Sequence, residues 1–257
     1  KGELSQEKSS IQKILDQDKD RIYPHFKSYS CASGRVATEN PNIQGMKREH
    51  RKRLYMAPKG RVIFGMDISN SQLRVAAHMT NESNLIKAFK EGQDVHRVTA
   101  AGIFRKSESD INEFERQVGK TANFQLLFGC GAETFQTKLA KATSKHITEE
   151  RVEKIMAAFF VAYPGLKKWQ DGVKKRFRNN QDGIKVTTLS GKKIFAPDYP
   201  AALNYAVAGS EAEIMKQIVI EFGQACRNMA IDAQIINLVH DSIVVEASKD
   251  NCAKAMD

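Results

Sequence analysis

The sequence predicts an α+β protein in which a series of helices lies between two apolar strand segments that each carry an aspartate. The segment 61–69 (RVIFGMDIS) is a short apolar run bounded by proline and glycine, which favours a buried strand. Between residues 94 and 160 the apolar positions recur at helical spacing instead. The segment 235–247 (IINLVHDSIVVEA) has the pattern of two strands joined by a tight turn at His240 and Asp241. Together these patterns indicate the mixed α+β class.

The remaining elements follow from local helix and turn signals. Thr148 is a suitable N-cap, and the two acidic residues after it favour the positive end of a helix that Pro164 ends. The predicted order is a helix early in residues 1–30, irregular chain over 30–45, a strand over 61–69, helices over 71–89, within 94–160 and over 166–179, strands over 184–188 and 193–196, a long helix over 200–229 and the hairpin over 235–247.

Composition and charge exclude several classes of protein. With 257 residues and 41% hydrophobic content, the chain can form one compact unit or two closely packed subdomains. Its net charge of +10 excludes an acidic solvating protein and indicates a polyanionic partner. No apolar run approaches the ~20 residues of a membrane span, and the polar start shows no signal peptide. The four cysteines lack CxxC spacing, which predicts reduced thiols inside a cell.

The two strand segments each carry an aspartate that packing does not require, Asp67 and Asp241. Two buried carboxylates brought together would repel each other, and a divalent metal removes the conflict. Hard oxygen ligands suit Mg²⁺, which binds through one or two carboxylates together with substrate phosphates. The alternative is that Asp67 caps the helix starting near Ser71 and Asp241 forms a turn. Spacing alone leaves both interpretations open.

Four side chains recur every four residues along one predicted helix: Arg116, Lys120, Phe124 and Phe128. Each step rotates the next side chain by only ~40°, so the four form one slowly winding face. Two cations followed by two aromatics match the polarity of a nucleoside triphosphate, with phosphates at one end and sugar and base at the other. The alternative is an ordinary helix with surface charges and two core phenylalanines.

Three ordered motifs carry a resemblance to a known family. The segments 66–79 (MDISNSQLRVAAHM), 116–129 (RQVGKTANFQLLFG) and 239–242 (VHDS) are similar to D-Y-S-Q-I-E-L-R, R-x-x-x-K-x-x-x-F-G-x-x-Y-G and V-H-D-E. Supporting stretches are SGRVATENPNIQG at 33–45, DVHRVTA at 94–100, AYPGLKKW at 162–169 and AALNYAVAGSEAEIMK at 201–216. Over about residues 29–245, the chain resembles the polymerase core of the family A DNA polymerases, and it looks closer to the phage-type branch.

The resemblance implies a polymerase core over 1–257. Its palm, an antiparallel sheet carrying the catalytic aspartates, is expected over 1–100 and 186–257, and its helical fingers over 101–185. No thumb or exonuclease is seen in this chain. The implied reaction is template-directed addition of deoxynucleoside triphosphates to a primer 3′ end with two Mg²⁺ ions. The implied partners are primer–template DNA, the nucleotides and replication accessory proteins, with no membrane. The implied location is the cytoplasm of a bacterial or phage-infected cell, with an organelle as the alternative.

The family's site residues carry over onto matching positions of this sequence. The resemblance makes Asp67 and Asp241 metal ligands together with the backbone carbonyl of Ile68, and makes Lys120 a catalytic residue. The expected nucleotide contacts are Arg116, Lys120, His96, Phe124, Phe128, Gln72 and Ile68. The expected primer–template contacts are Arg35, Asn42, Gln44, Asn204 and His240.

Several positions depart from the family pattern. Gln72 stands where the pattern has a Glu that helps to exclude the ribose 2′-hydroxyl, and Ser242 replaces the Glu after the third-motif Asp. Ala208 lies where most members carry Gln. The alternatives to DNA synthesis are a single-subunit-type RNA polymerase, which shares an H-D-S third motif, and a catalytically silent DNA-binding relative. Asn123 next to Phe124 favours the DNA enzymes, and the presence of both aspartates disfavours a silent relative.

Overall fold

The computed structural model describes residues 2–16, 21–46, 49–50, 55–180, 182–239 and 241–256. The chain forms two units, of which the first joins Lys1–Ser69 to Glu211–Asp257 and the second is Asn70–Ser210. The α-helices of the described residues are α1 (Gly2–Leu15), α2 (Ser71–Met79), α3 (Ser83–Lys90), α4 (Val95–Phe104), α5 (Glu113–Leu126), α6 (Ala132–Thr143), α7 (Glu149–Ala162), α8 (Pro164–Arg178), α9 (Tyr199–Asn228) and α10 (Cys252–Met256). The strands are β1 (His25–Lys27), β2 (Ala37–Glu39), β3 (Arg61–Asp67), β4 (Ile184–Thr187), β5 (Lys193–Ala196), β6 (Ala233–Val239) and β7 (Ser242–Ser248).

An antiparallel sheet of order β3-β7-β6 organises the first unit. The central strand β7 is the most buried, with Val245 and Ala247 fully enclosed. The carboxyl-terminal part of α9 supplies the cover, because Met215 and Phe222 pack against Ile243 of β7. The hairpin predicted over 235–247 is confirmed as β6 and β7, and this hairpin positions Asp241.

The edge strand β3 confirms the strand predicted over 61–69 but not its burial. Each of its seven residues is half-buried or exposed. The reason is its place in the sheet, since among the described strands β3 pairs with β7 alone. A short apolar run cannot by itself distinguish a central strand from an edge strand.

A small hairpin corrects the irregular chain predicted over 30–45. Residues Ala37–Glu39 form β2, which pairs antiparallel with β1. Each of the two strands has only three residues, too few to display an alternating pattern in the sequence.

The second unit contains α2 to α8, the hairpin of β4 and β5, and the first residues of α9. Its main core brings together residues from distant parts of the chain, including Leu73, Val118, Phe135 and Phe159. The short strands predicted over 184–188 and 193–196 and the helix over 166–179 are confirmed, with ends shifted by at most two residues. No helix of the described residues is long and apolar enough to cross a membrane.

A break between α2 and α3 corrects the continuous helix predicted over 71–89. After α2 ends, Asn81 adopts a left-handed conformation with φ 48°, which asparagine tolerates better than most residues. Glu82 then caps α3, because its carboxylate accepts a hydrogen bond from the N–H of Asn84 at 3.4 Å. The apolar spacing continues across this break, so periodicity could not reveal it.

The carboxylate of Glu82 also caps a second helix. Its Oε2 accepts hydrogen bonds from the backbone N–H groups of Gly165 at 2.7 Å and Leu166 at 3.3 Å, in the first turn of α8. A Cβ at Gly165 would lie only 2.9 Å from this oxygen and from the carbonyl of Thr80. Glu82 is 1% exposed, so these N–H groups replace the water that the carboxylate loses on folding. One buried side chain therefore joins the starts of α3 and α8.

We expect Glu82→Ala to destabilise the protein by about 2 kcal/mol or more, because the substitution leaves buried helix N–H groups without acceptors. Glu82→Gln keeps one acceptor oxygen and should cost less. Denaturant unfolding of both variants measures the difference, with the exposed Glu153→Ala as matched control. Equal stabilities of Glu82→Ala and Glu153→Ala would contradict the capping role.

Candidate active site

Asp67 and Asp241 lie next to each other at one end of the sheet in the first unit. Asp67 is the last residue of β3 and pairs in register with Ser242, the first residue of β7. The N–H of Ile68 donates to the backbone carbonyl of Asp241, with 3.1 Å between nitrogen and oxygen. Sheet pairing therefore brings together two aspartates that are far apart in the sequence.

The two aspartates border an open cleft rather than the core. Asp67 is exposed and Asp241 is half-buried, which corrects the expectation of two buried carboxylates. Both are accessible because they lie where an edge strand and a hairpin turn reach the end of the sheet. The cleft has a volume of about 250 Å³, and its other lining residues are Met66, Ile68, Met215, Ile218, Phe222, Ile243, Ala255 and Met256.

This donor set suits a magnesium ion. Mg²⁺ is usually held by one or two carboxylates together with water and substrate phosphates, rather than by a cage made only of protein ligands. Within the described ranges, no group of three or more His, Cys, Asp or Glu side chains forms a closed metal site. Asp67, Asp241 and the adjacent carbonyl of Ile68 thus fit an open site that substrate completes.

The helix α2 begins shortly after Asp67 in the sequence. The N-cap residue of this helix is Asn70, which has φ 55° and makes no side-chain capping hydrogen bond. Asp67 lies three residues earlier, at the end of β3. Its pairing with Ser242 in the sheet explains its position, and the capping interpretation stays a prediction.

In the second unit, α4 and α5 approach each other closely at Gly119. A Cβ at this position would lie 2.4 Å from the carbonyl oxygen of His96 and 2.9 Å from the nitrogen of Ala100. Only a glycine permits this contact, which brings His96 beside the face of α5. The sequence analysis missed Gly119, although a glycine within a helical pattern was the available signal.

Asp94 links the two helices. It caps α4 by accepting from the N–H groups of His96 at 3.0 Å and Arg97 at 3.3 Å, and it accepts from Nε of Arg116 at 2.7 Å. Partial burial raises the pKa of Asp94, but these hydrogen bonds outweigh that effect and hold it below its ordinary value. The sequence analysis also missed Asp94, whose N-cap position was readable from the sequence.

His96 is a neutral histidine inside this cluster. Its side chain is 7% exposed, and its ring centroid lies 5.7 Å from that of Phe124. Burial is the main cause that lowers the pKa of His96 to about 4, the cations of Arg116 and Lys120 lower it further, and Asp94 opposes them. At neutral pH the ring therefore carries one proton.

The predicted face of α5 ends earlier than the sequence suggested. Arg116, Lys120 and Phe124 lie within α5 at four-residue spacing, whereas Phe128 lies in the turn after the helix ends at Leu126. The expectation of a continuous helical face through Phe128 was therefore wrong. Lys120 is exposed, while Gln72 of α2 is half-buried in the same unit.

Two of the predicted primer–template residues make hydrogen bonds to distant segments of the first unit. Arg35 forms an ion pair with Glu211, which is 2% exposed. Nε2 of Gln44 donates to the carbonyls of Leu238 at 2.6 Å and Val36 at 3.2 Å. Gln44 therefore ties its own segment to β6, the strand that leads to Asp241.

The other predicted primer–template residues have different surroundings. Oδ1 of Asn42 accepts from Oγ1 of Thr38 at 3.2 Å and from the N–H of Gly45 at 3.1 Å. Asn204 is half-buried in α9 and belongs to the second unit. His240 lies outside the described residues.

The model of DNA polymerase family A matches residues 3–257 of this sequence. The chain belongs to DNA polymerase family A. Polymerases of this family depend on metal ions, in agreement with a site built from two carboxylates. The matched family is that of the DNA polymerases and not that of the single-subunit RNA polymerases. Its predicted likeness to the phage-type branch stays a prediction.

Known relatives and a solved structure agree with family A. The chain is 33% identical over 248 residues to DNA polymerase I of Aquifex aeolicus, covering 93% of this chain and 43% of the relative. It is 29% identical to the thermostable DNA polymerase I of Thermus thermophilus, covering 91% of this chain and 29% of the relative. The chain thus spans less than half the length of these two relatives.

The solved structure is the POL domain of Pol1 from M. smegmatis, in complex with DNA primer-template and dNTP. The likeness has a TM-score of 0.83 at 23% identity and covers 98% of this chain and 46% of the other. It confirms the predicted α+β fold of this family A chain.

We expect this family A protein to lose stability as the pH falls from about 6.5 to about 4, in part through His96. The pKa of His96 is about 4 in the folded state against an ordinary 6.5, so in this interval the unfolded chain binds a proton that the folded chain does not. The stabilisation is complete above pH 6.5 and is lost as the pH falls, by at most about 1.4 kcal/mol per pH unit.

Urea unfolding of the wild type and His96→Gln between pH 7 and pH 4.5 measures this contribution. The variant should show the shallower dependence on pH. His146→Gln, at an exposed position, serves as matched control. An identical pH dependence of wild type and His96→Gln would rule out a neutral, buried His96.

Proposed function

We propose that this chain is the catalytic core of a template-directed DNA polymerase, which adds deoxynucleoside triphosphates to a primer 3′ end with two Mg²⁺ ions. The observation that carries the proposal is the adjacent placement of Asp67 and Asp241 in a chain of family A. The relatives named DNA polymerase I, and a neighbour solved with DNA primer-template and dNTP, support the substrate class.

Asp67, Asp241 and the carbonyl of Ile68 are the proposed metal ligands. When bound, Mg²⁺ would lower the pKa of the primer 3′-hydroxyl and neutralise charge on the reacting phosphate. This chain would hold two carboxylates side by side at the end of paired strands. Little reorganisation of these two groups is then required during the reaction. The open cleft leaves room for a phosphate to complete the site.

The second unit is proposed to bind the incoming nucleotide. Arg116, Lys120 and His96 would contact the triphosphate, since a guanidinium, an ammonium and a neutral imidazole N–H can all donate to phosphate oxygens. Lys120 would also neutralise or protonate the leaving pyrophosphate. Phe124 would lie beside the sugar, and Asp94 supports this group because it holds both Arg116 and the start of α4.

Three further residues are proposed to contact the substrates. In the second unit, Gln72 would contact the sugar and Phe128 would contact the templating base. In the first unit, Ile68 is a further proposed nucleotide contact. Template pairing would select the base, so the protein needs few base-specific contacts.

Primer–template DNA is the proposed macromolecular partner, with replication accessory proteins as further partners. Arg35, Asn42, Gln44, Asn204 and His240 would follow the duplex. The net charge of +10 would add a salt-dependent attraction to the phosphate backbone.

The palm is proposed to comprise 1–100 and 186–257, and the fingers 101–185. The first unit of the structure falls within the residues of that palm, and the fingers fall within the second unit. An intracellular, cytoplasmic location is proposed for this activity on DNA, with an organelle as the alternative.

Asp67→Asn and Asp241→Asn should each reduce primer extension by on the order of a thousandfold, because each removes a charge that would act in the transition state. Duplex binding should stay nearly unchanged, since neither position supplies a cation for the DNA backbone. Primer extension in a Mg²⁺ titration and duplex binding, both with the full-length protein, measure the two effects.

Asp250→Asn is the matched control, because Asp250 is an exposed carboxylate of the same unit away from the paired strand ends. It should extend primers like the wild type. Near-normal turnover in Asp67→Asn or Asp241→Asn would overturn the metal assignment. A wild type that binds duplex but extends no primer would instead support the silent DNA-binding relative.

Gln72→Glu should strengthen the preference for deoxynucleotides over ribonucleotides. Gln is nearly the size of Glu, so a steric barrier to the 2′-hydroxyl survives, but its amide can donate to that hydroxyl as well as accept from it. We expect the discrimination to rise by about tenfold, the scale of one hydrogen bond. Competing ribo- and deoxynucleotide incorporation on one template measures the ratio, and an unchanged ratio would remove Gln72 from sugar selection.

A further inference from the structure

Four buried polar side chains of the second unit form a continuous hydrogen-bonded row that ends on His96. Tyr163 is 1% exposed, and Thr99 and Asn123 are fully buried. The hydroxyls of Tyr163 and Thr99 are 2.6 Å apart, Oγ1 of Thr99 lies 3.0 Å from Oδ1 of Asn123, and Nδ2 of Asn123 lies 3.1 Å from Nδ1 of His96. The row connects α4 and α5 with the end of α7, because Tyr163 directly follows α7.

The direction of each hydrogen bond follows from what each group can donate. The hydroxyl of Thr99 has one proton, which is shared between two acceptors. These are the amide oxygen of Asn123 and the carbonyl of Val95, the latter at 2.7 Å. Thr99 must therefore accept from Tyr163, whose hydroxyl donates. The NH₂ group of Asn123 can only donate. With the amide of Asn123 in this orientation, Nδ1 of His96 is an acceptor without a proton.

The charged groups around His96 make the position of its remaining proton important. Asp94 faces the ring from its own helix α4, and Arg116 and Lys120 face it from α5. Burial keeps the ring neutral at physiological pH. A neutral imidazole has one donor and one acceptor nitrogen, and the partner of one nitrogen determines the role of the other.

We propose that Asn123 is a positioning residue that holds His96 as the tautomer with its proton on Nε2, so that His96 offers a neutral N–H donor to an anionic oxygen. That this oxygen belongs to a nucleoside triphosphate rests on the proposed function. Thr99 and Tyr163 keep the amide in the required orientation, because the Thr99 hydroxyl occupies the amide oxygen. The opposite tautomer would direct a lone pair at the phosphate and repel it.

The chemical alternative is an amide rotated by 180°. Oδ1 of Asn123 would then meet Nδ1 of His96 and require a proton there, and Nδ2 would donate to Thr99. The two arrangements predict opposite tautomers, which nitrogen NMR distinguishes because protonated and unprotonated imidazole nitrogens have well-separated shifts. The tautomer is therefore a direct test of the proposal, independent of any polymerase activity.

The experiment uses the chain labelled with ¹⁵N-histidine at pH 7, and the His96 signals are assigned by their loss in His96→Gln. The wild type should show a protonated Nε2 and an unprotonated Nδ1. Asn123→Asp should reverse this pattern and move the proton to Nδ1, since a carboxylate only accepts hydrogen bonds. A wild-type ring protonated on Nδ1, or an unchanged pattern in Asn123→Asp, would overturn the proposal.

A second pair of variants tests the proposal even if Asn123→Asp does not fold. Thr99→Ser keeps the hydroxyl and should retain the wild-type tautomer. Thr99→Val removes the donor to the amide oxygen and should produce a mixture of tautomers. Identical patterns in the two Thr99 variants would contradict the role of the buried row, whatever the stability of each variant.

The proposed contact of His96 with the triphosphate is tested separately, with the full-length protein, primer–template and Mg²⁺. Asn123→Asp should raise the KM for deoxynucleoside triphosphate by about tenfold to a hundredfold, the scale of one hydrogen bond to a charged group, and leave duplex affinity unchanged. An unchanged KM together with a reversed tautomer would retain the positioning role and overturn the proposed contact of His96 with the triphosphate.

Discussion

The antiparallel pairing of β3 with β7 is the constraint on which the proposed chemistry depends. It aligns Asp67 with Ser242, and thereby sets the aspartate at the end of one strand beside the aspartate in the turn before the other. A slip of one residue would direct Asp67 to the opposite face of the sheet. Buried Glu246 further anchors β7, because both of its oxygens accept from Arg21 at 3.1 and 3.2 Å.

In the second unit, helix packing rather than strand pairing fixes the positions of the candidate site residues. Gly119 lets α4 and α5 approach to backbone contact, which sets His96 against Phe124 and near the cations of α5. Asp94 then fixes the start of α4 and the guanidinium of Arg116 with one carboxylate. The same contacts explain why His96 is neutral: the ring is removed from water and faces positive charge.

Buried polar side chains recur in this unit as links between helices. Glu82 joins the starts of α3 and α8. Nε2 of Gln170 donates to the carbonyls of Leu126, the last residue of α5, at 2.7 Å and of Leu127 at 3.0 Å. Asn123 of α5 forms a link of the same kind to His96 of α4, a side chain of the candidate site. Such groups are costly to bury unless satisfied, and each partner restricts the helices to one arrangement. A rigid support of this kind suits the proposed contacts with a triphosphate, which require one geometry.

The sequence by itself determined the α+β class, the strand–turn–strand around Asp241, the long helix α9, and the cations and aromatic ring of α5, because these depend on local periodicity and turn chemistry. The order of the three motifs was sufficient to single out the two aspartates. Only the tertiary structure decided that β3 is an edge strand with an exposed Asp67, that α2 and α3 are separate, and that α5 ends before Phe128. It alone revealed Asn123 as the partner of His96. Burial and hydrogen-bond partners depend on residues far apart in the chain, 24 positions for Thr99 and Asn123 and 225 for Arg21 and Glu246. Such contacts leave no period in the sequence from which they could be inferred.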